Sequence, residues 1–136
     1  MNLPTNSPNK NIALPFVTLS FYNNYFIGIF KEGELVTIEK SNLISSYALD
    51  FFKDKPFVYI SNRVNSYAVN PEIYPDMLGI SNLAGFAVVS KNAMALKNAK
   101  FEKMFFKKPF ETFNTIDEAI VWTDTLIKEH ISNKAI

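Results

Sequence analysis

The chain reads as a single-domain α/β protein ordered β-β-α-β-α-β-α-β-α, with a five-stranded, mixed but mostly parallel sheet and four helices. Three observations predict this. After an opening hairpin, short strand-like runs alternate with segments of helical period, a pattern that favours parallel strands joined by right-handed crossovers. The run Leu83 to Val89, LAGFAVV, is almost unbroken in apolar character, as a strand covered on both faces must be. Finally, 136 residues that are 48% apolar and 15% aromatic supply one core and argue against global disorder.

Residues 1 to about 14 are polar and proline-containing and read as a flexible tail, leaving 15–133 as the folded domain. Phe16 to Phe21 and Tyr25 to Phe30 are strand-like, and Asn23-Asn24 between them suits a hairpin because asparagine tolerates positive φ. Gly33 marks a second turn. Thr37 caps a helix whose buried face is Ile44, Tyr47, Ala48 and Phe51, at helical spacing, and Pro56 stops it. Phe57-Val58-Tyr59-Ile60 is the third strand, and Pro71 opens a short helix to about Leu78. LAGFAVV is the fourth strand. A third helix spans about Asn92 to Phe106, with Phe101, Met104 and Phe105 as its packing set. Phe110 to Phe113 is the last strand. Thr115 and Glu118 have capping-box spacing, and Ala119, Ile120, Thr123, Leu126 and Ile127 form the stripe of the final helix.

Composition excludes several chemistries. There is no cysteine, so disulfides, thiolate nucleophiles and cysteine metal sites are absent. The one histidine, His130, lies at the end of the last helix, where a cation complements the helix dipole. No glycine falls in a phosphate-cradling pattern. These signals predict no metal, no cofactor and no enzyme. Fourteen basic against thirteen acidic residues give a charge of +1, too little to steer nucleic acid. No apolar leader is evident, and no run approaches the ~18 apolar residues of a membrane span, so a cytoplasmic location is expected.

One region stands out. Arg63 is the only arginine, and it follows the third strand in a polar loop, where ligands of α/β domains commonly sit. Ser61, Asn62, Arg63, Asn65, Ser66, Tyr67, Asn70 and Tyr74 are therefore the candidate binding residues. In that reading the guanidinium and hydroxyls meet an anionic or polar group, and Tyr67 and Tyr74 form an apolar wall. Glu72 and Asp76, one helical turn apart, are the candidate acid/base pair, more simply explained as favourable charges in a first turn. A second surface is the lysine set Lys97, Lys100, Lys103, Lys107 and Lys108 beside Phe101, Phe105 and Phe106, which suits an anionic membrane surface. Glu102 interrupts that stripe.

The VYISN strand end, the LAGFAVV strand and the closing F-F-x-x-P-F-E-x-F-x-T-x-D-E-A-I-x-W, Phe105 to Trp122, resemble the small STAS/CRAL-TRIO-like proteins, which share the fold of the anti-sigma factor antagonists. The resemblance spans roughly residues 16 to 130. It implies a mixed sheet whose first strand opposes the rest, with helices largely on one side. STAS antagonists are switched by phosphorylation of a serine in an Asp-Ser-[Ser/Thr]-Gly-like motif. Here Asn65-Ser66-Tyr67-Ala68 supplies the serine without the aspartate or glycine. CRAL-TRIO domains enclose a lipid but need a gating helix for which this chain has no room. The expected function is a non-enzymatic binding module recognising a protein partner or a small amphipathic or anionic ligand through the Arg63 loop. The alternatives are a peripheral membrane protein using the lysine-rich third helix and, third, an enzyme using Ser61 or Ser66. Homodimerisation is left open.

Overall fold

Strands β5 (Phe57–Asn62) and β7 (Leu83–Val89) sit at the centre of a six-stranded sheet, and every residue of β7 is buried. The computed structural model describes residues 7–135. The sheet order is β1-β2-β3-β5-β7-β8, with β1 at Lys10–Ala13, β2 at Val17–Phe21, β3 at Tyr25–Phe30 and β8 at Phe110–Phe113. Only β2 runs against the others, because β1–β2 and β2–β3 are antiparallel while β3–β5, β5–β7 and β7–β8 are parallel. The mixed, mostly parallel sheet is as expected. Its strand number is six rather than five.

The extra strand is β1, within the stretch read as a tail; residues 1–6 of that tail lie outside the described residues. Its sequence, KNIA, is mostly exposed and carries no burial pattern, so the backbone ladder to β2 holds it. A second, two-stranded sheet was also not legible. It pairs β4 (Leu35–Val36) with β6 (Ala68–Val69) in parallel.

Helices α1 (Ile38–Phe52), α2 (Ile73–Met77) and α3 (Ala93–Glu102) follow as read, α2 being shorter than expected, and α4 (Ile116–Ala135) closes the chain. Thr37 caps α1 by accepting from the Lys40 amide at 3.2 Å. Thr115 and Glu118 form the reciprocal box at α4: the Glu118 amide donates to Thr115 Oγ1 and the Thr115 amide to Glu118 Oε1, both at 3.2 Å. α1 buries Ser41, Ile44, Ala48 and Phe52, with Tyr47 and Phe51 half-buried at the edge of that face.

Strand alternation divides the core into two layers. On one face Phe26, Tyr59 and Phe86 pack with α1, α2 and Ala99 of α3; on the other Val58, Ile60, Ala87 and Val89 pack with Ala119 and Ile127 of α4. The first layer is rich in rings: Phe52 stacks on Phe57 at 4.5 Å and Phe26 on Tyr59 at 4.4 Å. Such pairs contribute about 0.5–1.5 kcal/mol each beyond their area.

The third helix departs from expectation. It ends at Glu102, followed by a 3₁₀ turn over Lys103–Phe105, and its buried residues are Ala99 and Glu102. Phe101, Met104 and Phe105, expected to pack inward, are exposed, and Phe106 alone of this aromatic group is buried. The 3₁₀ turn rotates the chain so that Phe106 reaches Phe110 and Phe86 instead.

Gly85 lets α4 approach β7. A Cβ there would come within 2.5 Å of Leu126 Cδ2 and 3.1 Å of the Pro109 carbonyl oxygen. Gly85→Val is expected to destabilise the fold by ~1–3 kcal/mol through overpacking, measured as a lower urea midpoint. An unchanged midpoint would mean that α4 does not seat this closely.

Candidate functional site: a groove beside a buried ion pair

Ser61 ends the inward-facing side of β5, and Arg63 follows where the strand stops. The Arg63 amide is held by the Val89 carbonyl at 2.8 Å, which aims the side chain beneath α3. There the guanidinium meets Glu102 in a bidentate pair: Nη1 donates to Oε2 at 2.8 Å and Nη2 to Oε1 at 2.7 Å. Arg63 is only 9% exposed and Glu102 only 7%, so the pair belongs to the interior.

Other polar groups complete it. The Tyr74 hydroxyl also donates to Glu102 Oε1. Arg63 Nε donates to Ser61 Oγ at 3.4 Å, and Ser61 Oγ shares a hydrogen bond of 2.8 Å with the Tyr67 hydroxyl. The guanidinium carbon lies 5.4 Å from the centre of the Tyr67 ring. Burial alone would lower the Arg63 pKa, but the hydrogen bond to Glu102 and its charge outweigh burial and raise it. Tyr74 is pushed up by burial and then by the Glu102 charge, so its hydroxyl stays protonated and donates. Burial raises Tyr67 as well, opposed by Arg63.

The candidate residues thus divide. Ser61, Arg63, Tyr67 and Tyr74 form one buried network, and Arg63 does not face solvent as a free cation. Tyr74 is fully buried and is not a surface wall. Asn65 anchors the loop by donating to the Phe30 carbonyl at 2.9 Å, and Asn70 Oδ1 accepts from the Glu72 amide at 3.0 Å. Ser66 is exposed, with its amide donating to Glu32 Oε1 at 3.0 Å. Asn62 lines a separate hollow of ~650 Å³ over the ends of β5 and β7. Glu72 and Asp76 are both exposed beside α2. Lys108 leaves the lysine set: its ammonium is half-buried and donates to the carbonyls of Ile80 and Leu83.

Between the Arg63 loop and α3 runs a groove of ~680 Å³, within the range of small-ligand sites. The ion pair lies along it, and Val64, Met94 and Phe101, all exposed, supply apolar surface. Val64, Met94 and Glu102 were not among the residues singled out. Glu102 had a signal: it is the only carboxylate between Lys91 and Lys108, as Arg63 is the only arginine. Beneath α1 and α2 lies a second, mainly apolar cavity of ~30 Å³, the scale of one or two waters. Among the described residues, no helix is long and apolar enough to cross a membrane.

No family model matches the chain, and no curated protein matches it. The architecture is nevertheless that of the SpoIIAA-like, or STAS, proteins. The chain is similar to the crystal structure of an uncharacterized DUF3478-family protein with a SpoIIAA-like fold from Shewanella loihica PV-4, with a TM-score of 0.53 over 86% of this chain and 98% of that one. Identity is 14%, so the likeness establishes the fold.

A free surface arginine would leave stability unchanged when removed. A buried one will not. Arg63→Ala strands the Glu102 carboxylate and is expected to cost ~3–5 kcal/mol, whereas Arg63→Met with Glu102→Leu should recover most of that loss. Chemical denaturation of the four proteins of this double-mutant cycle measures the coupling, and additive losses would contradict the pairing.

Proposed function

We propose that the protein is a non-enzymatic binding module of STAS-like fold that recognises a protein partner or a small amphipathic or anionic ligand beside the loop after β5. The supporting observation is the groove between that loop and α3. It is concave, carries exposed Val64, Met94 and Phe101, and has polar groups from Asn65, Ser66 and Asn98 along its walls. Apolar surface with a few placed polar groups is the usual composition of a recognition site. In this reading Arg63 does not touch the ligand. It ties α3 to the end of β5 and thereby keeps the groove walls apart.

The test uses exposed residues. Val64→Asp with Phe101→Asp should shift stability by no more than ~0.5 kcal/mol per site, yet remove any molecule that travels with the purified chain in gentle native mass spectrometry. A wild-type chain that travels alone, or a variant that retains its companion, counts against the reading. The same spectrum reports a second copy, for which β1 and β8 are the outer strands of the main sheet.

A second reading, peripheral membrane association, is favoured by one observation. The only carboxylate between Lys91 and Lys108 is buried, so Glu102 does not interrupt the outer face of α3 and its following turn. That face presents Lys97, Lys100, Lys103 and Lys107 with Phe101, Met104 and Phe105. Vesicles rich in anionic lipid should carry the protein in flotation, less so as salt rises, while neutral vesicles should not. Equal flotation with both lipids, or with neither, would reject this electrostatic mode.

A further inference from the structure

The free edge of β6 forms part of the groove wall. In the β4–β6 ladder the Ala68 amide donates to the Glu34 carbonyl at 2.9 Å and the Asn70 amide to the Val36 carbonyl at 3.1 Å, while Ser66 accepts from the Gly33 amide at 2.7 Å. With the register Leu35↔Ala68 and Val36↔Val69, the even-numbered residues face β4. The N–H and C=O groups of Tyr67 and Val69 therefore point away from β4 and have no backbone partner among the described residues. Tyr67, Ala68 and Val69 line the groove, and α3 stands across it.

We infer that this groove receives an extended, acidic polypeptide segment, which adds as a third strand beside β6 and lies between it and α3. The inference rests on the binding reading above and names the partner's chemistry. An unpaired strand edge is a template for a visiting backbone, and strand addition takes its affinity from main-chain hydrogen bonds and its specificity from alternate side chains. Val64, Met94 and Phe101 offer apolar contact for those side chains, being 66%, 61% and 59% exposed.

Charge complementarity selects the acidic partner. Lys91, Lys97, Lys100, Lys103 and Lys107 are exposed, and Glu102, the only acid in that stretch, is buried against Arg63. Lys97 shares a helical face with Met94 and Phe101, so a carboxylate beside an apolar residue meets both. Glu32, on the wall opposite α3, is occupied by the Ser66 amide. A polypeptide is preferred to a bilayer because the groove is concave and its walls carry Asn65, Asn92 and Asn98 as well as the open backbone. Lipid would leave those groups without partners.

The test presents a displayed library of random octapeptides to the immobilised full chain. Peptides in which Asp or Glu alternates with Val or Ile should be enriched. A synthetic copy of the best peptide should bind more weakly as salt rises, and roughly tenfold or more weakly after N-methylation of its alternate amides. Val69→Pro should weaken it similarly, since that substitution removes a donor which β4 does not use. On binding, the Val69 amide should become protected from hydrogen exchange. If Val69→Pro misfolds, the N-methylated peptide and the exchange measurement decide. Acidic peptides that bind equally after N-methylation, with no protection at Val69, overturn strand addition while leaving the groove as a binding site. No enrichment, enrichment of basic peptides, or binding to anionic vesicles alone overturns the inference; no enrichment combined with loss-free native spectra of the Val64→Asp/Phe101→Asp variant rejects the groove itself.

Discussion

The bidentate pair of Arg63 and Glu102 is the constraint on which this side of the molecule depends. α3 is poorly equipped to hold itself to the sheet, since its buried residues are Ala99 and Glu102. A buried carboxylate is tolerable only when its lone pairs are filled, and here the guanidinium fork and the Tyr74 hydroxyl fill them. The same arginine is fixed at its other end by Ser61 and by the backbone of β7. One interaction thus joins the end of β5, α2 and α3.

That arrangement also decides the character of the surface. With its acid withdrawn, the stretch from Lys91 to Lys107 shows lysines and large apolar side chains to solvent. A helix with exposed Met94, Phe101 and Met104 is unusual for a face with no other role, because such side chains are ordinarily placed toward the core. The groove, the lysines and the open edge of β6 all lie next to the ion pair. A rigid polar core below an adaptable apolar rim is a sound foundation for recognition.

Much of the fold could be read directly from the chain. The α1 and α4 caps, the LAGFAVV strand and the stripe of α4 rest on local chemistry: a hydroxyl at an N-terminus, an apolar run between polar residues, a helical period. β1 could not be read, since KNIA buries almost nothing and its stability lies in hydrogen bonds to a neighbour chosen by topology. The β4–β6 pair is hidden for the same reason, with two residues to a strand. At the site, the chain pointed to the correct neighbourhood but not to the role of its residues. Arg63 stands out in composition, yet whether a guanidinium meets a visitor or a neighbour depends on a partner 39 residues away.

Sequence alone determined the alternation of strands and helices, the helix boundaries set by caps and prolines, and the absence of cysteine chemistry, because each follows from residues close together in the chain or from composition. Tertiary structure decided which cations remain in solvent, which aromatics are left outside, and which strand edge stays open. Those outcomes depend on long-range pairing, and a carboxylate carries the same local signal whether it ends on the surface or beneath a helix.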